Sequence, residues 1–518
     1  MAAPLVRLRG GMSSLADTLA ILTPTPPPSS VEKGAGTAFP RRRGLQVVLL
    51  GALLGALLGA WFAVVISGAR AAEVVSPQAT AETPDIGKRR GEDWGAFLGP
   101  TGNGRSGLQN LRTRWAEGGP PVVWHCAVGE GYCAPAVALG RAVIFDRVGQ
   151  DMRLRCLEAE TGRKLWEERY PADYADMFGY DGGPRAAPVI ARDRVVTFGP
   201  EGRLECRCLA DGALVWKIDT GRAYHVVQNF FGVGAAPLVI DAGGGPLVVV
   251  QVGGSKPGTA PPAPERLDLV KGLDSGLVAF DMATGRERWR ASDQLASYST
   301  PILARIGDRD RILAWMRDTL LVVDPASGAV EGEFRWRADE VFSAVCASPV
   351  AAGGCVLLSE CYGPGSVLLD LAAGGDPRPL RQDRRRARPD AALKAHWATP
   401  VLHEGHVYGV SGRNSGDAVL TCVDWKTGAV RWAEGGFGRA SVALVAGHLL
   451  VVGEYGDLAL VRADPERYAE VSRTRLRDPA DGRTDLLAPP CWAAPVIARG
   501  LGYVRGQGRL VCLDLAAP

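Results

Sequence analysis

The chain has 518 residues, 47% of them hydrophobic, and a formal net charge of +3, so it can bury a large core. Residues 1–72 carry a net charge of +5 and the remainder −2, which leaves the body without the basic surface that nucleic acid requires. The eleven cysteines include no C-x-x-C pair, which argues against a zinc ribbon or a dithiol redox site.

The N-terminal segment predicts export. Residues 1–40 include four prolines within TPTPPP and are expected to form a disordered cytoplasmic tail. Residues 41–72 begin with three arginines, and the uncharged run 45–66 is long enough to cross a bilayer. This run is either an uncleaved inner-membrane anchor or part of a secretory signal cut after Ala71. In both cases the body lies on the periplasmic or extracellular side, after a linker at 73–92.

A short motif recurs along residues 93–518: an apolar strand, an acidic residue, a turn that ends in Gly, and a Trp. Its copies lead to Trp166, Trp216, Trp289, Trp336 and Trp432. The acidic side chain can accept hydrogen bonds from the turn backbone, Gly takes positive φ, and Trp supplies a large packing face. The pattern is typical of β-hairpins.

A second motif, a small residue followed by Pro and an apolar residue, opens each unit. It contains Pro135, Pro188, Pro237, Pro301, Pro349, Pro400 and Pro495, and 441–444 fills the same place without Pro. These eight units predict an all-β fold, an eight-bladed β-propeller of four-stranded antiparallel blades, preceded by one N-terminal hydrophobic helix. The lone strand at 121–124 is expected to complete the last blade and close the ring.

The Asp-x-x-Thr-Gly-x-x-x-Trp units resemble the repeats of the pyrroloquinoline-quinone (PQQ) propeller superfamily. That superfamily includes quinoprotein alcohol dehydrogenases and the outer-membrane β-barrel assembly lipoprotein. The opening at 93–104 is also similar to exported bacterial PQQ-binding-like propellers. The resemblance covers roughly residues 93–518 and implies the fold more than the function.

The resemblance also says what a quinoprotein dehydrogenase would need: adjacent cysteines in a disulfide, a Trp under the quinone, a calcium ion and an Asp base. The sequence has no Cys-Cys dipeptide, and no residue matches the calcium ligands or the base. We therefore expect no cofactor, and PQQ with calcium is the alternative. The pair His403 and His406 could share a metal, but a polar turn is favoured there.

In propellers, the loops that enter the innermost strands converge on one end of the channel, and the loops between second and third strands should share that face. The candidate ligand-binding residues in these loops are Tyr180, Asp181, Arg185, His225, Gln228, Asn229, Tyr298, Glu360, His396, Trp397, Arg413, Asn414 and Trp492. Aromatic rings mixed with both signs of charge suit a polar small molecule or a peptide. Each residue could instead fill the channel mouth or form an ion pair between blades.

The cysteines and two insertions complete the pattern. Cys126 with Cys133, and Cys355 with Cys361, are close enough in sequence to form disulfides. Cys156, Cys208, Cys422 and Cys512 recur at one position of the repeat and are expected to be buried thiols. Residues 256–274 and 378–394 are expected to be surface loops, and the arginine-rich second loop could also attract anionic lipid or an acidic partner.

These features predict an exported or membrane-anchored, monomeric propeller that binds a protein partner or a polar small molecule and has no catalytic chemistry of its own. A PQQ-dependent oxidoreductase is the alternative. A third hypothesis is a purely structural role in envelope assembly.

Overall fold

The structure is a computed structural model that describes residues 89–263, 265–383 and 393–517. The predicted tail, the apolar run 45–66 and most of the linker lie outside these residues. Within the described part, no helix is both long and apolar enough to cross a bilayer.

The described chain is built from antiparallel four-stranded sheets, here called blades. Before the first blade come β1 (Arg105–Ser106) and β2 (Val122–Ala127). Blade 1 contains β3 (Ala136–Ala138), β4 (Arg141–Val148), β5 (Asp151–Glu158) and β6 (Lys164–Pro171), and blade 2 contains β7 (Val189–Ala191), β8 (Arg194–Phe198), β9 (Arg203–Cys208) and β10 (Leu214–Asp219). After the short helix α1 (Thr220–Ala223), blade 3 contains β11 (Leu238–Asp241), β12 (Pro246–Gln251), β13 (Leu277–Asp281) and β14 (Glu287–Ala291), with a 3-10 turn at Leu267–Leu269.

The later blades repeat the same order. Blade 4 contains β15 (Ile302–Ile306), β16 (Arg309–Trp315), β17 (Thr319–Val323) and β18 (Val330–Arg335), and blade 5 contains β19 (Val350–Ala352), β20 (Cys355–Glu360), β21 (Gly365–Asp370) and β22 (Arg378–Gln382). Blade 6 contains β23 (Val401–His403), β24 (His406–Ser411), β25 (Val419–Asp424) and β26 (Val430–Glu434), and blade 7 contains β27 (Ser441–Val445), β28 (His448–Val452), β29 (Asp457–Arg462) and β30 (Glu470–Arg475). Blade 8 contains β31 (Val496–Ala498), β32 (Leu501–Gly506) and β33 (Arg509–Asp514), followed in the sheet by β2.

These sheets confirm the predicted all-β, eight-bladed propeller. Every predicted Pro motif stands directly before the first strand of its blade, and the first strands of neighbouring blades contact one another, as β3 does with β7 and β31. Pro has no N–H to donate, so it is tolerated at the start of an edge strand. The short first strands are therefore the inner edges of the blades.

Strands from both ends of the body share blade 8. β2 is antiparallel to β33, with Val122 opposite Leu513 and Ala127 opposite Arg509. On β2, Trp124 donates its indole N–H to the carbonyl oxygen of Ala159 in blade 1 at 2.9 Å. β1 adds a parallel fifth strand to blade 7.

The repeated Trp lies between blades. Its indole N–H donates to a backbone carbonyl of the next blade, as from Trp166 to Leu209 at 2.9 Å and from Trp216 to Met282 at 2.8 Å. The prediction that Trp336 is the repeated Trp of blade 4 is wrong. The residue at the position of the repeated Trp in that blade is Gly332, which lies opposite Val322. Trp336 is buried after the end of β18 instead. The Trp position is filled by Arg381 in blade 5 and by Ser472 in blade 7.

All eleven cysteines are free thiols, so neither of the two pairs that are close in sequence forms a disulfide. One repeat assignment is also corrected: Cys206, rather than Cys208, lies opposite Trp216, as Cys156 lies opposite Trp166. The side chain of Cys206 is fully buried, whereas that of Cys208 is partly exposed. The two cysteines are two residues apart and therefore point to the same face of β9, but Cys208 is the last residue of that strand, where burial is incomplete.

The insertion 256–274 is more than a surface loop. Leu267 and Val270 are buried and pack with Phe230, which precedes blade 3. Of the second insertion, residues 378–382 form β22, and residues 384–392, which hold the arginine cluster, lie outside the described part.

Candidate functional site

A cavity of about 340 Å³ opens where the loops before the inner strands meet. It receives residues from all eight of these loops and from the segment around Leu98. One position of every repeat lines this cavity: the residue three places before the motif Pro, or three before Val442 in the repeat without Pro. In chain order these residues are Tyr132, Arg185, Gly234, Tyr298, Cys346, Trp397, Arg439 and Trp492. The same position of every repeat therefore faces one cavity.

Aromatic rings cluster in one part of the cavity wall. The ring centroids of Trp397 and Trp492 are 4.9 Å apart, and Tyr132 stands 4.8 Å from Trp492 on its other side. Across the mouth, Tyr180 lies 6.4 Å from Trp492 and 6.0 Å from Phe231. Tyr180 is 61% exposed, so its ring is available to a ligand that approaches from solvent.

Two arginines lie over these rings. The guanidinium of Arg439 is 4.9 Å from the ring centre of Trp397 and 4.8 Å from that of Trp492. The guanidinium of Arg185 is 5.7 Å from Tyr132 and 5.3 Å from Phe231. Such cation–π contacts fix the orientation of the cation.

A third arginine lines the same cavity. Arg413 lies 4.4 Å from the ring centre of Tyr362. The Tyr362 hydroxyl is 3.0 Å from Nε2 of His396. Burial, together with the nearby guanidinium groups of Arg439 and Arg413, lowers the pKa of His396 to about 3, so this imidazole is neutral at physiological pH.

Each cavity arginine has a carboxylate partner. Arg185 forms an ion pair with Asp176, and Arg413 Nη1 lies 3.0 Å from Oε1 of Glu340. Arg439 Nε donates to Glu454 at 3.0 Å. The cavity therefore presents guanidinium donors whose charge is already balanced, which suits polar and uncharged ligand groups as well as anions.

The sequence placed thirteen candidate residues at this face, and the structure brings eight of them to the cavity. They are Tyr180, Arg185, Tyr298, His396, Trp397, Arg413, Asn414 and Trp492. Gln228 and Asn229 line a separate, smaller cavity.

The other three candidates do not line the cavity, and the side chains of Asp181 and Glu360 bind backbone N–H groups instead. Asp181 accepts hydrogen bonds from the backbone N–H groups of Gly131 and Gly183 at 3.0 and 2.6 Å. The carbonyl oxygen of His225 accepts from Ser255 Oγ at 2.7 Å. Glu360 is buried and accepts from the N–H of Ala338 at 3.1 Å. Short acidic side chains at loop ends often bind neighbouring backbone in this way.

Sequence reasoning missed Arg439, Phe231 and Tyr362. Arg439 stands three residues before Val442, at the repeat position that holds Arg185 in blade 2. Aligning the eight units on this position would have found it without a structure. Phe231 has no such signal, because Phe230 beside it is fully buried and only the fold separates the two.

The lining does not fit calcium. Calcium takes six to eight oxygen ligands, usually with several carboxylates, and the described residues that line the cavity include no Asp or Glu. Across the described ranges, no three His, Cys, Asp or Glu side chains come together as a metal site. His403 and His406 face each other across the β23–β24 hairpin.

Solved structures share this fold. BamB from Moraxella catarrhalis matches with a TM-score of 0.50 and 13% identity over 76% of this chain and 97% of its own. A europium-containing methanol dehydrogenase matches with a TM-score of 0.58 and 11% identity over 80% of this chain and 89% of its own. At such low identity these likenesses show the fold alone. No curated protein matches the sequence.

A family model described as outer membrane protein assembly factor BamB matches residues 115–260 and 258–434. The two matches span blades 1 to 6 and together cover more than half of the chain. This chain therefore belongs to the family described as outer membrane protein assembly factor BamB.

Proposed function

We propose that this protein is a binding propeller that holds an extended segment of a partner protein in the cavity, and that it performs no catalytic chemistry of its own. The observation that carries the proposal is the lining: aromatic rings and three oriented arginines contributed by loops of every blade. Aromatic residues and arginine dominate the binding energy of protein interfaces. A polar small molecule would use the same groups.

The donors of Arg413 support a peptide ligand. Among the described residues, Glu340 contacts only Nη1 of Arg413, so Nε and Nη2 remain for another acceptor. Backbone carbonyl groups of an extended peptide could accept these hydrogen bonds, while its side chains pack on Tyr180 and Trp492. The family description, an assembly factor for outer membrane proteins, also favours a protein partner.

The same proposal includes the place of the protein in the cell. Residues 45–66 hold the body at the inner membrane or direct its secretion with cleavage after Ala71, so that the propeller acts outside the cytoplasm. The pairing of β2 with β33 supports ring closure within one chain, and the proposal includes a body that acts as a monomer. Protease treatment of spheroplasts tests the location, because a cytoplasmic body would survive it.

The partner is tested by a photo-crosslinking residue in place of Tyr180 in the full chain, in cells. We expect one crosslinked envelope protein, lost with Arg413→Ala and retained with Arg305→Ala. Arg305 is a matched control, since it is exposed and pairs with Asp310 at 3.2 Å in the β15–β16 hairpin, away from the cavity loops. Equal crosslinking in both variants would contradict binding at this face.

The alternative function is a PQQ-dependent oxidoreductase. The cavity does not fit the calcium ion of such a site, because its described lining holds no carboxylate, and we derive no step through the cofactor. Calorimetry of the full chain with PQQ, with and without calcium, separates the alternatives. Saturable binding at one site that requires calcium would favour the oxidoreductase, and no binding would favour the cofactor-free propeller.

A further inference from the structure

A second cavity, of about 140 Å³, lies among the loops of blades 2, 3 and 4. Its wall includes Val226 and Gln228 before β11, Val252 after β12, Leu267 of the insertion, and Arg317 between β16 and β17. The volume is close to that of an engineered cavity that holds one benzene molecule. It is large enough for an organic molecule of a few heavy atoms.

Arg317 is the unusual group in this wall. Its side chain is buried, with the residue only 5% exposed. Nη2 has no hydrogen-bond partner, and no carboxylate of the described residues forms an ion pair with this guanidinium. Burial, reinforced by the neighbouring charge of Arg337, lowers its pKa to about 10. Even so, the group is a cation at physiological pH.

The other buried arginines of the described chain all have acceptors. Arg155, Arg207 and Arg311 pair with Asp146, Glu205 and Glu331, while Arg147 and Arg505 donate to backbone carbonyl oxygens. The partly exposed Arg337 beside Arg317 pairs with Asp318 at 3.2 Å. A buried cation without an acceptor is costly, so an anion bound beside Arg317 would be stabilised there, although the buried carboxylate of Glu201 lines the same cavity.

The surroundings limit which anion fits. The guanidinium of Arg317 lies 5.7 Å from the ring centre of Phe230, itself fully buried, and this contact orients its plane. Val252 and Leu267 add apolar surface to the same cavity. A guanidinium binds a carboxylate through two parallel hydrogen bonds, and the apolar wall suits a short hydrocarbon chain.

We propose that this cavity binds a small monocarboxylate with a short aliphatic chain, whose carboxylate pairs with Arg317. The carboxylate supplies the acceptors that the guanidinium lacks, and the chain contacts Val252 and Leu267. The source is either a free short-chain acid or a carboxylate of a bound peptide. The site is separate from the large cavity, so this inference does not rest on the proposed function.

The test measures thermal unfolding of the full chain with butyrate, acetate or sulfate at constant ionic strength. A ligand that binds only the folded state raises the Tm with its concentration. We expect butyrate to raise the Tm most and sulfate least. Ligand-observed NMR with butyrate then gives the affinity, and a peptide ending in a free carboxylate, compared with its amide, distinguishes the two sources.

Arg317→Met removes the cation and keeps an unbranched apolar side chain. We expect its Tm without ligand to equal or exceed that of the native chain, because an unpaired buried charge is lost. Its affinity for butyrate should fall at least about tenfold, as expected for a charge-assisted pair. Arg305→Met, which removes an exposed arginine, should behave as the native chain. No response to butyrate, or an equal response in Arg317→Met, would overturn the proposal, and so would sulfate acting as strongly as butyrate.

Discussion

The indole ring of Trp216 lies close to where a side chain at Gly285 would be, one blade further along the chain. A methyl group at Gly285 would stand 2.8 Å from two ring carbons of Trp216, and Gly285 has a positive φ of 71°. Two features of this turn therefore require glycine: the positive φ of its backbone and the close approach of the Trp from the preceding blade.

We expect Gly285→Ala to destabilise the protein more than Gly307→Ala. Gly307 has a similar φ of 61° but nothing within 4 Å of its missing Cβ. Both variants should lose about 1 kcal/mol to the left-handed backbone, and only Gly285→Ala should lose a further 1–3 kcal/mol or so through the clash. Urea unfolding of the two variants measures the difference, and equal losses would show that the Trp contact is unimportant.

Glu454 should stabilise the cavity through Arg439. Glu454 is 4% exposed, and it accepts hydrogen bonds from Nε and the backbone N–H of Arg439 at 3.0 and 2.9 Å and from the indole of Trp492 at 3.0 Å. Burial alone would raise its pKa, but these hydrogen bonds outweigh it and lower the pKa to about 2. Glu454→Gln should therefore cost about 1.5–3 kcal/mol at neutral pH.

The pH dependence follows from the lowered pKa of Glu454. Its stabilisation is full above the pKa of an unfolded Glu, near 4.3, and is lost as the pH falls toward 2. The difference in unfolding free energy between the native chain and Glu454→Gln should thus shrink between about pH 4.3 and 2. Glu466→Gln is the control, because Glu466 is exposed and its pair with Arg431 should contribute little.

The fold could be predicted because it is repeated eight times. Each motif is weak alone, but the Pro position marks every inner strand and the Gly–Trp spacing marks most contacts between blades. The prediction went wrong where a repeat departs from its pattern. From the sequence, Trp336 resembles the repeated Trp that packs between blades. In the structure, the register of β17 and β18 places Gly332 opposite Val322 at that position instead.

The site was predictable only in part, because the sequence shows which loops meet at the cavity but not the direction in which each side chain points. Asp181 and Arg185 stand in one loop, yet Asp181 turns to the backbone while Arg185 faces the cavity. The sequence places Arg317 in a loop between a second and a third strand, but it does not show that this guanidinium is buried without an ion-pair partner. Arg317 differs from the other buried arginines of the described chain because its neighbours provide no hydrogen-bond acceptor for Nη2. Those neighbours come from three blades, so the sequence around Arg317 does not show this.

His396 should make the protein sensitive to mild acid. Its pKa in the folded protein, about 3, lies below the ordinary value near 6.5 because the ring is buried and two arginines are near. Stability is therefore full above about pH 6.5 and falls as the pH drops below it, by up to about 2 kcal/mol at pH 5. His396→Gln should lose less stability than the native chain between pH 7.5 and 5. An identical loss would mean that other groups cause it.

Glu360 should behave in the opposite way to Glu454, although both are buried glutamates. Burial raises the pKa of Glu360 to about 8, and the N–H of Ala338 is its hydrogen-bond donor among the described residues. A raised pKa means that stability is full below the unfolded value near 4.3 and is lost as the pH rises to about 8.

Glu360→Gln should therefore stabilise the protein at pH 8, by up to a few kcal/mol on the order set by such a pKa shift, and have little effect near pH 4. Glu205→Gln is the matched control. Glu205 is equally buried but pairs with Arg203 and Arg207 at 2.6 and 2.8 Å, so its substitution should destabilise at pH 8. Thermal unfolding of the three chains at pH 4, 6 and 8 measures both effects. A loss of stability in Glu360→Gln at pH 8 would mean that Glu360 is charged and paired in the folded protein.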